Sequence, residues 1–209
     1  MINNLERRIL DISYRRKLSH LSSNLSSVNI IDEIYSIKKP NEPFILSNGH
    51  AGLALYVVLE KYHNIDAEIL FEKHGVHPNR DVENYIYYSS GSLGCGLPGA
   101  CGMALANRER DVYCLISDGE IFEGSIYESF NLISKYNINN IKVYCNINGY
   151  SALESFDVND IVKKLNNLNE NAKPRITNDV YVKFPFLSGI PGHYKTLSQE
   201  EAKYALEIL

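Results

Sequence analysis

The chain has 209 residues, 44% of them hydrophobic, and a formal net charge of −4 at neutral pH. That length suits one α/β domain with a core of its own. The acidic balance excludes the basic face that nucleic acid or an anionic membrane would require. The first 17 residues hold no continuous apolar region, and no window approaches the 18 apolar residues of a membrane span. Four cysteines, none at CxxC spacing, read as reduced, buried thiols of a cytoplasmic protein.

Residues 4–18 set Leu5, Ile9, Ile12 and Leu18 on one helical face. The serine-rich run 19–27 reads as a loop, and a second helix is expected over 28–38, stopped by Pro40 and Pro43. Phe44 to Leu46 forms a short strand, and Ser47-Asn48-Gly49 turns the chain into an apolar helix over 51–63. Residues 64–90 are polar and without period, so they read as irregular. A glycine-rich turn at 90–96 leads into a helix of small residues over 97–107. Val112 to Ile116 and Ile141 to Ile147 are apolar runs of strand length, with a helical pattern between them. A helix over 158–168 takes Asp157 as its N-cap, and Pro174 breaks the chain. Residues 179–184 read as a strand and 188–196 as a Gly/Pro loop. Ser198 and Glu201 stand at capping-box spacing before a last helix. Alternating strands and helices predict an α/β fold, a doubly wound and mostly parallel sheet with helices on both faces. There is no repeat and no linker, so residues 1–209 are expected to form a single domain.

The chemistry concentrates between Ile116 and Asn148. Two neighbouring strands each deliver an oxygen-bearing side chain at the C-terminal end, Asp118 and Asn148, one β–α–β crossover apart. In open α/β sheets that edge binds ligands. Carboxylate and amide oxygens suit Mg²⁺, which takes few protein ligands and shares the rest with phosphate and water. Gly119 lets backbone approach a phosphate, and the helix that follows offers its positive end. Asp-Gly is also a common turn dipeptide, so the pair alone leaves a plain surface turn open.

The flanking blocks narrow this. Ser117-Asp118-Gly119-Glu120 with Glu123-Gly124, ending at Asn148, is similar to the thiamine fingerprint of transketolases. Ser47-Asn48-Gly49-His50-Ala51, Val76-His77-Pro78 and Ser90-Gly91-Ser92-Leu93-Gly94-Cys95-Gly96-Leu97 match further blocks of that family, and Gly102 to Ala106 follow in register. Ser19-His20 with Leu25-Ser26, and His193 with Leu197, Glu200 and Glu201, match its start and its end. The chain therefore resembles the thiamine-diphosphate-binding, N-terminal domain of transketolases along essentially its whole length.

The resemblance implies roles. Asp118, Asn148 and the carbonyl of Tyr150 would hold Mg²⁺ and, through it, the diphosphate of thiamine diphosphate. Gly119 would touch the diphosphate, Gly91 and Leu93 the aminopyrimidine, and Glu120 joins the cofactor-facing block. His50 and His193 would serve phosphate or substrate, and His20 and His77 the reacting carbons of a ketose. Glu123 and Glu128 would lie at a subunit interface, beside the glutamate that activates the cofactor. Taken singly, each histidine reads as a loop residue; His63 and His74 match no block and are structural.

Full transketolases carry two further domains beyond this one, and the sequence is expected to end, at Leu209, where their first domain ends. The resemblance thus implies a separate C-terminal subunit, bearing the pyrimidine-binding and C-terminal domains, in a heterotetramer. The implied activity is transfer of a two-carbon ketol unit from a ketose or ketose phosphate to an aldehyde, with the carbanion chemistry supplied by the cofactor. Alternatives are the α subunit of a 2-oxo acid dehydrogenase and a non-catalytic thiamine-fold scaffold. The sequence departs from the family at Ser117, which stands in place of a glycine, and at Ser22 and Ser23. It is also shorter between 151 and 180.

Overall fold

The protein is described by a computed structural model covering residues 4–151 and 153–209. Four strands, β1 (Phe44–Leu46), β2 (Val112–Ser117), β3 (Ile141–Ile147) and β4 (Lys173–Ile176), pair in parallel in that order. β2 is buried at all six positions, so it reads as a continuous apolar run and not an alternating one. The pleat divides its neighbours between two cores. Phe44, Leu46, Tyr113, Leu115 and Tyr144 face one; Ile45, Cys114, Ile116, Cys145 and Ile147 face the other.

Helices α1 (Leu5–Arg16), α2 (Leu21–Ile37), α3 (Gly52–His63) and α4 (Ala67–His74) contribute to the first core. Helices α5 (Gly96–Ala106), α6 (Gly124–Lys135) and α7 (Val158–Leu168) contribute to the second. The short α8 (Val180–Lys183) and the last helix α9 (Gln199–Glu207) return to the first. The sheet is thus doubly wound with helices on both faces, as the alternating pattern predicts. Asp157 caps α7 by accepting from Asn159 N at 2.9 Å and Asp160 N at 3.1 Å. The Ser198–Glu201 capping box is formed on both sides.

Four expectations about elements are overturned. The serine-rich run is helical, because α2 begins at Leu21 and buries Ser22, Ser23, Ser26 and Ser27 along with its apolar residues. Residues 67–74, expected to be irregular, form α4. Asp66 caps it by accepting from Glu68 N at 2.7 Å, and only Ala67 and Leu70 are buried, too few to show a period. Pro174 lies within β4 and does not break it. The strand pairs only with β3, and an edge strand tolerates the missing donor. Residues 180–183, expected to be a strand, make one helical turn that buries Val180 and Phe184 together, four residues apart. Within the expected Gly/Pro loop, Ile190–Tyr194 winds into a 3₁₀ turn. Among the described residues no helix is long and apolar enough to cross a membrane. All four cysteines are free; Cys101, Cys114 and Cys145 are buried, but Cys95 is exposed, against expectation.

Candidate active site

The C-terminal ends of β1, β2 and β3 meet beneath one cavity of about 350 Å³. After β1 the chain turns through Ser47-Asn48-Gly49-His50. A Cβ on Gly49 would stand 2.7 Å from Gly91 N, so only glycine lets this turn pack against the 90–91 backbone. Ten of the residues singled out in the sequence line the cavity: His20, His50, His77, Gly91, Leu93, Asp118, Gly119, Asn148, Tyr150 and His193.

Asp118 sits at the floor with 1% of its surface exposed. One carboxylate oxygen, Oδ2, accepts from Asn148 N at 3.0 Å and Gly149 N at 2.8 Å. The other, Oδ1, accepts from Gly119 N at 2.9 Å, so the amide expected to face a diphosphate is turned to Asp118. Burial pushes the carboxyl up to about 6, against the pull of these three amides. No lysine or arginine is among the described residues lining the cavity. An ionised Asp118 therefore lacks a counter-cation, and a divalent ion would supply one. Asn148 accepts from Tyr150 N at 2.9 Å through Oδ1 and leans on Ser26 Oγ at 3.4 Å. No cluster of three or more His, Cys, Asp or Glu able to hold a metal occurs among the described residues. The Asp118 carboxylate and the Asn148 side-chain amide on the cavity floor instead offer the kind of sparse oxygen set that suits Mg²⁺, which shares its remaining positions with phosphate and water.

The opposite wall is imidazole. His20 Nδ1 lies 3.1 Å from His193 Nε2, and His20 N donates to the His193 carbonyl at 3.0 Å. The His50 ring centroid is 5.6 Å from that of His20 and 5.5 Å from that of His193. His20 adopts the left-handed region at φ 59°, a conformation that a non-glycine residue holds only where surrounding contacts fix it. A Cβ added to Gly91 would lie 3.5 Å from the His77 ring, so the His77 side chain packs against that glycine. Burial lowers His20 to about 4 and His50 to about 3, with neighbouring histidines adding to the effect; burial also lowers His193. These rings are neutral at pH 7, each with one donor and one acceptor nitrogen.

Three of the singled-out acids lie elsewhere. Glu120 is fully buried behind the cavity and does not line it. Its carboxylate accepts from Ser47 Oγ at 2.5 Å, Gly94 N at 2.8 Å and Ser117 N at 2.9 Å. Glu123 and Glu128 are exposed at the start of α6, away from the cavity. His63 stacks on Tyr85 with centroids 3.6 Å apart, and His74 meets Asp81 at 3.1 Å, so both stand outside the site. Ser117 has an extended strand conformation, so its substitution for glycine introduces no strain.

Sequence reasoning missed Asn48, Asn146 and the serines of α2. Asn146 donates to Ser26 Oγ at 2.8 Å and Ser27 Oγ at 3.0 Å, and accepts from Thr177 Oγ1 at 2.5 Å. Asn48 donates to Ser27 Oγ at 3.2 Å. This buried neutral network fixes α2 against the strand ends that carry the site. Its signal in the sequence is the serine run itself, which becomes meaningful only once it is helical.

The family model described as "Thiamine pyrophosphate enzyme, C-terminal TPP binding domain" matches residues 67–176. The chain is 34% identical over 155 residues to the A subunit of the apulose-4-phosphate transketolase of Phocaeicola vulgatus, covering 65% of this chain and 55% of that protein. It is 36% identical over 120 residues to human transketolase-like protein 2, covering 52% of this chain and 19% of that protein. Among solved structures, the transketolase of Campylobacter jejuni superposes with a TM-score of 0.74 at 20% identity, over 97% of this chain and 41% of the other. That of Leishmania mexicana superposes with a TM-score of 0.65 at 17% identity, over 98% and 43%. At these identities the structural likeness speaks to the fold. The chain spans between a fifth and about half the length of these curated relatives. With more than half of its residues matched by the family model, the chain belongs to the thiamine pyrophosphate enzymes, as a bearer of their TPP-binding domain.

Proposed function

We propose that this chain is the diphosphate-holding subunit of a two-chain transketolase-like enzyme. The observation that carries the reading is the buried Asp118–Asn148 pair on the floor of a cavity walled by four histidines. Asp118, Asn148 and the Tyr150 carbonyl would hold Mg²⁺, and the metal would hold the diphosphate. When bound, thiamine diphosphate supplies the nucleophilic carbon that opens a C–C bond beside a ketone. The protein's part is recognition, orientation and proton handling. His20, His50 and His193 are neutral imidazoles and, with the His77 ring in the same wall, are suited to hydrogen bonding with the hydroxyls of a polyol chain. The contact between His20 Nδ1 and His193 Nε2 needs one ring to donate and the other to accept. It therefore correlates their tautomers and keeps one N–H available within the pair.

The likeness to a protein named as one subunit of a transketolase supports a second chain. Glu123 and Glu128, exposed at the start of α6, are free to meet it. That chain would bring the pyrimidine-binding half of the site and the acid that activates the cofactor, in a heterotetramer. The substrate class is a ketose or ketose phosphate donor with an aldehyde acceptor.

The test mixes the purified chain with a candidate partner carrying the complementary domains, in saturating thiamine diphosphate and Mg²⁺. Ketol transfer is expected from the mixture and from neither chain alone. Robust turnover by this chain alone would remove the partner. Oxidation of a 2-oxo acid with an artificial electron acceptor, without ketol transfer, would assign the site to a 2-oxo acid dehydrogenase.

A further inference from the structure

Glu120 is a fully buried carboxylate behind the cavity that the proposed chemistry does not use. It has no exposed surface and accepts hydrogen bonds from three separate segments. Ser47 Oγ, at 2.5 Å, comes from the turn after β1. Gly94 N, at 2.8 Å, comes from the loop whose Gly91 and Leu93 line the cavity. Ser117 N, at 2.9 Å, comes from the end of β2, next to Asp118, with Ser117 Oγ at 3.4 Å. Ser47 Oγ in turn accepts from Gly96 N at 3.1 Å, which extends the link to the first residue of α5. The packing leaves no slack here: a Cβ on Gly96 would stand 2.6 Å from Ser47, and one on Gly94 2.5 Å from Ser125 Oγ. None of its bonding partners is a cation, so the carboxyl group is held by hydrogen-bond donors alone, each tied to a different wall of the site.

We propose that Glu120 is a positioning residue that locks the 91–95 loop in register with the Asp118 floor, so that a ligand touching both walls meets them at a fixed separation. This rests on the reading of the cavity as a thiamine diphosphate site. It assigns Glu120 a role behind the cavity, not one of contact with the cofactor. It also gives Ser117 a purpose that glycine could not serve, since its hydroxyl adds a further contact to the same carboxylate. Glu120→Gln keeps the volume but turns an NH₂ toward either Gly94 N or Ser117 N. One arm of the lock must then open.

The test compares two ligands in the full chain: thiamine diphosphate, long enough to span both walls, and Mg²⁺–pyrophosphate, which reaches only the floor. Glu120→Gln is expected to weaken thiamine diphosphate tenfold or more and to leave Mg²⁺–pyrophosphate within about twofold. Hydrogen exchange at the Gly94 amide is expected to accelerate while β2 and β3 amides keep their protection. Ser47→Ala, which cuts one arm and leaves the carboxylate, is expected to shift the same ratio less, and it carries the test if Glu120→Gln fails to fold. An equal loss for both ligands, or no loss for either, would overturn the proposal. If wild type binds Mg²⁺–pyrophosphate but not thiamine diphosphate, or neither ligand, the thiamine reading itself falls, and the proposal with it.

Discussion

Burial sets the titration of the site residues, and their shifts oppose one another. His50 and His20 are held near 3 and near 4, below the ordinary value of 6.5. The unfolded chain therefore binds protons that the folded chain refuses. This contribution to stability is intact above pH 6.5 and declines as pH falls toward the folded values. Asp118 acts in the other direction: its folded value of about 6 exceeds the ordinary 3.8, so its contribution is present at low pH and is lost as pH rises through 6. Two histidines outweigh one carboxylate. The midpoint of urea unfolding for the metal-free chain is expected to fall from pH 7 to pH 4.5. In His50→Asn, which cannot titrate there, the fall should be visibly shallower; an equal slope in both proteins would mean that His50 is not held neutral. Asp118 and Asn148 were legible in the sequence because apolar strands announce their own ends. Glu120, two residues beyond Asp118, was grouped with the cofactor-facing residues, because a match in sequence does not say which way a side chain leaves the 3₁₀ turn formed by Gly119–Phe122. There it turns back into the protein.

At the scale of elements, the site depends on α2 being fixed against the end of β3 by polar contacts that add to its apolar packing. Asn146 is 1% exposed and joins Ser26, Ser27 and Thr177. Asn146→Ala would strand the buried Ser26 and Ser27 hydroxyls, at a cost of about 1–3 kcal/mol. Chemical denaturation is expected to show a loss of that size with an unchanged m-value; a loss below about 0.5 kcal/mol would show that the network is dispensable. This arrangement explains what periodicity could reveal and what it could not. β1, β2, β3, α3, α5 and α7 follow apolar runs or amphipathic spacing, and their expected bounds differ little from those observed. The first turns of α2 are buried serines, which a rule placing polar residues in loops assigns wrongly. α4 is held by a cap and a ring of ion pairs, among them Arg15–Glu68 and Arg16–Glu72, leaving two apolar anchors. β4 carries a proline that only its edge position permits, and α8 is a single turn whose β-branched residues mimic a strand.

At the scale of the molecule, the parallel sheet brings together residues from across the chain, from His20 to His193, along one edge. The fold class was readable because each strand alternates with helices, and the site because its blocks sit at successive strand ends. The proposed one-sided setting of the cofactor is not a matter of periodicity. It rests on a cavity with an Asp118–Asn148 floor and a histidine wall, while Glu123 and Glu128 are exposed away from it. The central claim is that Asp118 holds a metal, and through it a diphosphate. The direct measurement is calorimetric titration of thiamine diphosphate, with and without Mg²⁺, into wild type and Asp118→Ala, with the partner chain present. Wild type is expected to bind only with Mg²⁺, and Asp118→Ala at least 100-fold more weakly, which is about 2.7 kcal/mol. Equal binding by the two proteins, or binding by wild type that does not depend on Mg²⁺, would contradict the account.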